Sequence, residues 1–214
     1  MEIFFTSATE IAAGSAKIDV NHHETVFVMP FTDLAMAKKS SLLMSKRADA
    51  SGLLVCVYDN LGEGFINIAN QVFEKTSSTW FGYTAQDAFV GRNWLGFALE
   101  ALNRQNAVLL GFNDGKWFGE LAAFGLAQRE WASKNYQGVL FSPEYAQHYA
   151  DVELTILAQA IGRYAFSANS LMIEVDWEKD GKATNRKDKQ TFQARLQQHF
   201  DGRDIPEQLL QKFA

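Results

Sequence analysis

Trp80-Phe-Gly-Tyr-Thr-Ala-Gln-Asp87-Ala-Phe-Val-Gly-Arg-Asn-Trp-Leu95 is the stretch on which the reading of this chain turns. Trp80, Phe81 and Tyr83, with Gly82 among them, have the aromatic density of the end of a buried strand. Thr84 to Asp87 then makes a polar turn bearing one acid. Gly91-Arg92-Asn93 breaks the pattern, and Trp94 opens a helix expected to run through Leu102. In an α/β chain, a carboxylate just past the carboxyl end of a central strand stands where open sheets bind ligands. The same residues also fit a surface turn with one solvated Asp, so the flanking chain has to decide.

Upstream, Val26-Phe-Val-Met-Pro30 and Leu53 to Tyr58 are short, continuous apolar runs, the pattern of strands covered on both faces. Between them Thr32 or Asp33 can cap a helix reaching about Arg47, with Leu34, Met36, Leu42, Leu43 and Met44 expected on its apolar side. Strand, helix and strand at this spacing make a right-handed parallel crossover. A helix over Ile66–Lys75 and a strand over Ser77–Tyr83 complete a nucleotide-binding-type half. Downstream the pattern predicts strands at Ala107–Phe112, Val139–Phe141 and Ser170–Val175, and a helix from Asp151 to about Tyr164. Gly119–Trp131 reads as either a short helix or a strand. Asp176 to Asp188 is a charged tract, and Gln190–Phe200 and Pro206–Phe213 read as terminal helices. Residues 1–24, small and polar after a short apolar start, receive no element. The fold class is therefore α/β, a central, mostly parallel sheet flanked by helices.

Composition narrows the function classes. With 214 residues, 47% of them hydrophobic, the chain can bury one good core. A net charge of −5 and a pI near 5.4 leave no basic field, so nucleic acid is not an expected partner. Cys56 lies inside an apolar strand and reads as a small core residue. The start of the chain lacks the basic region of a signal peptide, and no run approaches the roughly 20 apolar residues of a membrane span. A cytoplasmic protein with no integral membrane segment is the expectation. His22 and His23 are adjacent, so on a strand they point to opposite sides and make a poor metal pair. No Gly-rich phosphate loop ending in Lys-Ser/Thr and no Gly-x-Gly-x-x-Gly follows the first strand, which argues against other nucleotide-binding α/β enzymes.

In order along the chain, five short motifs resemble the GT-A fold glycosyltransferases, specifically the large inverting family 2 group. Val-Phe-Val-Met-Pro30 resembles the first strand, which ends in Pro before the nucleotide loop. Leu-Val-Cys-Val-Tyr-Asp59-Asn60 resembles the second, whose terminal Asp contacts the base. Asn67-Ile-Ala-Asn70 resembles the helix carrying an Asn near the nucleotide. Thr84-Ala-Gln-Asp87 falls where that group carries its paired metal-binding acids, and Ala150-Asp151-Val-Glu153-Leu resembles the later acidic motif of the catalytic base. The resemblance covers roughly Val26 to Trp177.

It implies transfer of a sugar, with inversion, from a nucleotide sugar, most simply a UDP-sugar, to a glycan or lipid-linked glycan of the kind met in polysaccharide biosynthesis. Any lipid-linked acceptor would be met peripherally at the inner membrane face, and a homodimer could complete a short acceptor side. Pro30, Phe31, Asp59, Asn67, Asn70 and Gln86 become the candidate donor-binding residues, and Asp114 and Trp117 the acceptor-binding ones. Asp151, with Glu153 beside it, becomes the candidate catalytic base. Asp87 and Asp176 become candidate ligands of Mn²⁺ or Mg²⁺, hard cations that take oxygen donors. The expected organisation is a single domain over 1–214: a nucleotide half over about 24–100, an acceptor half over about 101–180 and a helical tail over about 181–214. The departure from the family pattern is at Thr84 and Gln86, where further carboxylates belong. It keeps a second reading open, a GT-A-like domain that has lost catalysis and binds nucleotide, glycan or a protein partner.

Overall fold

The computed structural model describes residues 1–175 and 185–213. In chain order the elements are β1 (Glu2–Ser7), α1 (Ala8–Ala12), β2 (His22–Phe31), α2 (Leu34–Arg47), β3 (Leu53–Tyr58), α3 (Phe65–Lys75), β4 (Ser77–Tyr83), β5 (Ala88–Val90) and α4 (Trp94–Arg104). They continue with β6 (Leu109–Asn113), β7 (Gly125–Gln128), α5 (Arg129–Asn135), α6 (Ala150–Ala160), β8 (Tyr164–Glu174), α7 (Arg186–Gln197), α8 (His199–Gly202) and α9 (Glu207–Phe213). The strands form one sheet in the order β1-β3-β2-β4-β7-β6-β8-β5.

Direction within that sheet decides where a site can form. β1, β3, β2 and β4 are mutually parallel. β7 is antiparallel to both β4 and β6, so β6 runs with β4, and β8 runs parallel to β6. The carboxyl ends of β1, β2, β3, β4, β6 and β8 therefore share one edge of the sheet. The sheet is mixed rather than mostly parallel on its downstream side, because β7 and the short edge strand β5 run against their neighbours.

Alternation along the strands splits the core into two layers, as the period of two requires. Val26, Val28, Val55 and Val57 face a layer shared with α3, α6, α7 and α9. Phe27, Met29, Leu54 and Cys56 face the layer covered by α2 and α4, where Trp94 is wholly buried and donates its indole N–H to the Met44 carbonyl at 3.1 Å. Gly82 is the close-approach point of the sheet. A Cβ there would lie 2.1 Å from the Phe27 ring.

Several elements differ from the sequence reading. The N-terminal segment is not loop: Glu2–Ser7 adds β1 to the sheet beside β3, and Ser7 and Glu10 close a capping box at the start of α1. Its strand partner lies some fifty residues away in sequence, so local pattern alone was too short to signal it. The ambiguous segment Gly119–Trp131 resolves into β7 followed directly by α5. Val139–Phe141 is no strand but carries a single bridge between Tyr136 and Val139. Asp33 does cap α2, accepting the Met36 N–H at 3.0 Å, yet the buried stripe is Ala37, Ser40, Ser41 and Met44, while Leu34 and Leu42 stand about half exposed. The small side chains let this helix lie on the sheet, with the Ser40 hydroxyl donating to the Ala88 carbonyl. No described helix is long and apolar enough to cross a membrane.

Candidate active site

A cleft of about 170 Å³ opens near the carboxyl edge of the sheet, lined by Phe65 and Ile66 of α3, Ala123, Phe124, Phe141, Gln147, His148 and Asp151. Its aromatic wall is built on Tyr83, the last residue of β4. The Tyr83 ring packs edge-on against Phe141 at 4.9 Å and near Phe65 at 6.5 Å, and its hydroxyl donates to the Ala122 carbonyl. Burial raises the Tyr83 phenol well above its usual range, and the nearby negative charge of Asp151 pushes it further. The end of β4 and the candidate base therefore lie within electrostatic reach of each other.

Asp151 occupies the first turn of α6, after Tyr149, whose backbone is left-handed at φ 70°. Its own burial raises the carboxyl to about 6, although the amides of Val152 and Asp151 and the charge of His148 pull it down. A carboxylate partly withdrawn from water, facing a cleft and titrating near neutrality is suited to accept a proton from a hydroxyl. Asp151 makes no side-chain cap of α6, because the N-cap residue is Tyr149 and no side-chain cap bond is present.

Glu153 stands two residues on and has a different role. It is fully buried and is not among the residues lining the cleft. Its carboxylate accepts the Tyr136 and Tyr145 hydroxyls at 2.8 and 2.7 Å and two N–H groups of Arg195 at 2.8 Å each. With its oxygens spent on this network it has no lone pair to serve as a base, which removes it from the catalytic candidates. Asn70 is likewise structural. Its amide donates to the Phe141 carbonyl and accepts the Phe141 N–H, at 3.0 and 2.9 Å, which pins the aromatic wall.

The donor-side candidates sit on neighbouring loops at the same edge. Pro30 and Phe31 end β2, and the Phe31 ring stacks on the half-exposed Tyr58 at 5.6 Å. Asp59 accepts the Glu63 and Gly64 N–H groups at 2.8 and 3.0 Å and so shapes the turn into α3. That turn requires glycine at 64, where φ is +83° and a Cβ would meet the Ala146 carbonyl oxygen at 2.9 Å. Asn67 is exposed and donates to Glu63. Gln86 accepts the Thr32 and Asp33 N–H groups at 2.8 and 2.9 Å, tying the β4 turn to the start of α2.

Asp87 is 5% exposed, and its carbonyl accepts the Val175 N–H just beyond β8. The turn after β4 and the end of the last strand therefore meet. Asp176, the second expected ligand, lies outside the described residues. Among the described residues no group of three or more His, Cys, Asp or Glu side chains comes together as a metal-binding cluster. Asp87 supplies one oxygen donor of the kind a hard divalent cation takes. The Thr84 hydroxyl beside it is buried without a hydrogen-bond partner.

On the acceptor side Asp114, 4% exposed, accepts the Lys116 and Trp117 N–H groups at 2.9 and 2.8 Å, closing the turn after β6. Trp117 is 42% exposed, and the Lys116 ammonium lies 5.2 Å from its ring centre.

No protein-family model matches the sequence, and no curated protein does. Solved structures match in fold at low sequence identity. The mannosyltransferase PcManGT from Pyrobaculum calidifontis, in complex with GDP-Man and Mn²⁺, superposes with a TM-score of 0.65 at 11% identity, over 88% of this chain and 68% of that one. The fold is that of the GT-A glycosyltransferases. A second GT-A neighbour, residues 1–349 of S. aureus TarS in complex with UDP-GlcNAc, gives a TM-score of 0.61 at 11% identity, over 89% of this chain and 71% of that one. Another crystal structure of S. aureus TarS gives 0.60 at 10% identity, over 88% of this chain and 41% of that one.

Proposed function

We propose that this protein transfers a sugar from a nucleotide-sugar donor to a hydroxyl of a glycan or lipid-linked glycan, with inversion at the anomeric carbon. The observation that carries the reading is Asp151, a carboxylate raised to about 6 at the wall of a cleft beside the carboxyl end of β4, in a chain with the GT-A fold. In this reaction the acceptor oxygen attacks the anomeric carbon and its proton passes to Asp151. The bond from that carbon to the phosphate oxygen breaks, and the nucleoside diphosphate leaves with the electron pair. The β2, β3 and β4 loops bearing Pro30, Phe31, Asp59, Asn67 and Gln86 form the donor side, with Asp59 and Gln86 fixing loop shape. Trp117 presents an indole face to the acceptor, on a turn closed by Asp114. This division keeps a nucleotide half over about 24–100 and an acceptor half over about 101–180 within one domain.

The neighbours bind GDP-Man and UDP-GlcNAc, which supports a nucleotide sugar and makes both nucleotides first choices, with UDP the preferred one. Mn²⁺ or Mg²⁺ is the cofactor this reading implies; Asp87 and Asp176 would hold it, and it would stabilise the charge of the leaving diphosphate. A second reading, a GT-A domain that binds its ligand without turnover, is favoured by Thr84 and Gln86 standing where the family carries further carboxylates.

Calorimetric titration with UDP-GlcNAc and GDP-mannose, with and without Mn²⁺, on the natural protein and on Asp87→Asn, tests both. The expected result is binding strengthened by Mn²⁺, weakened in Asp87→Asn and accompanied by release of nucleoside diphosphate when glycan acceptors are added. Binding without release would favour the second reading, and binding of neither nucleotide sugar would count against both.

A further inference from the structure

Helix α7 carries three buried residues at i, i+4 and i+7 on one face: Asp188, Phe192 and Arg195, exposed by 1%, 3% and 6%. All three grip one stretch of chain, the segment that delivers Asp151 to the cleft. The Asp188 carboxylate accepts three successive backbone N–H groups, those of Ala146, Gln147 and His148, at 3.0, 2.9 and 2.9 Å. Consecutive amides converging on one anion form a nest, here filled by a side chain some forty residues away in sequence. One turn along α7, the Phe192 ring stacks on Tyr149 at 5.1 Å and 25°. Two residues after Tyr149 comes Asp151. Arg195 reaches past the loop to Glu153 on α6 and to Glu144 ahead of it.

An Asp in the first turn of a helix usually serves its own helix. Here Asn185 supplies the cap, accepting the Lys187 N–H, and the carboxylate of Asp188 is turned onto another segment. The held loop is also in an unfavourable conformation. Tyr149 sits at φ 70°, a region non-glycine residues avoid, and it persists because both sides of it are gripped. Gln147 and His148 line the cleft themselves, and the Ala146 carbonyl accepts the Ile66 N–H at the start of α3. Moving this loop would move the cleft wall and the base together.

We propose that Asp188 and Phe192 are positioning residues, which lock the loop 146–149 from α7 and thereby set Asp151 at the reacting hydroxyl. The inference rests on the glycosyltransferase reading for its catalytic half and on geometry alone for the lock. Among the described residues Asp188 makes no hydrogen bond to a donor-side loop, so the donor KM is expected to change far less than kcat.

The test is Asp188→Asn, which keeps size but removes the charge and turns an NH₂ toward one of the three amides. Two readouts are taken: hydrogen–deuterium exchange at residues 146–148, and kcat with donor KM for UDP-GlcNAc or GDP-mannose, whichever the natural protein uses. Faster exchange at 146–148, a kcat lower by about 10²-fold and a donor KM within about twofold are expected, with partial recovery of kcat in Asp188→Glu. Unchanged exchange, or faster exchange with unchanged kcat, would overturn the proposal, as would a donor KM that rises in step with the loss of kcat. Should Asp188→Asn fail to fold, Phe192→Leu, which trims only the Tyr149 stack, carries the same expectations. An inactive natural protein would instead sink the glycosyltransferase reading, and the exchange data would then decide the lock by itself.

Discussion

Replacing Asp151 with Asn should make the protein more stable while making it inactive. Burial lifts this carboxyl from 3.8 to about 6 in the folded state. The folded protein thus holds the proton more tightly than the unfolded chain. Stability falls as pH rises from about 4 to about 6, and the full cost is present at pH 7. At about 1.4 kcal/mol for each pH unit the ceiling is about 3 kcal/mol. The side chain is partly open to the cleft, so solvent screening brings this to about 1–2 kcal/mol. Asn removes that cost, and the attraction of the carboxylate to the first-turn amides of α6 is already contained in the net shift. The net gain is about 1–2 kcal/mol, a rise in Tm of roughly 2–8 °C for a chain of this size. Transfer should fall by about 10²–10⁴-fold, the usual worth of a general base. Calorimetric melting at pH 7 and release of nucleoside diphosphate under saturating donor measure the two effects. The natural protein should lose activity tenfold per pH unit below about 6, and the Tm difference between the two proteins should vanish by about pH 4. A variant that melts lower and keeps its activity within about threefold would refute the reasoning, since that is how a residue serving only the helix end would behave.

Other expectations concern the residues the tertiary structure moves out of the chemistry. Glu153→Gln strips the buried partner from Arg195 and should cost about 3 kcal/mol in urea unfolding while leaving the donor Kd unchanged. A changed Kd with unchanged stability would return Glu153 to the site. Asn70→Ala orphans the Phe141 N–H and carbonyl, and a loss of about 2–4 kcal/mol with an unaltered denaturant slope is expected. Burial pushes the Cys56 thiol to about 12, so a thiol reagent at pH 8 should label it only at the rate of unfolding; fast labelling of the native protein would contradict the core assignment.

Much of the upstream fold is legible locally. Val26–Pro30, Leu53–Tyr58 and Ser77–Tyr83 announce buried strands because residues covered on both faces must be apolar without interruption, and the lengths between them admit only a parallel crossover. Asp33 as the cap of α2 and the turn from Thr84 to Asp87 follow from side-chain chemistry a few residues wide. The helix stripe on α2 is hard to read because bulky Leu34 and Leu42 are the conspicuous residues, while the buried face is Ala37, Ser40, Ser41 and Met44.

Which acid faces the cleft could not be read in this way. Asp151 and Glu153 lie two residues apart, and at about 100° per residue a helix turns them to nearly opposite sides. The sequence says only that the two differ. Packing decides that Glu153 meets Arg195, Tyr136 and Tyr145 in the core while Asp151 meets the cleft. The same holds for β1 against β3, Asn70 against Phe141 and Asp188 against the loop at 146–148, pairs separated by some forty to seventy residues. Local pattern fixes what a segment can become, since propensity and alternation act over a few residues. The partner of a buried polar group is chosen only when the chain closes, because only then does each such group have to find a bond.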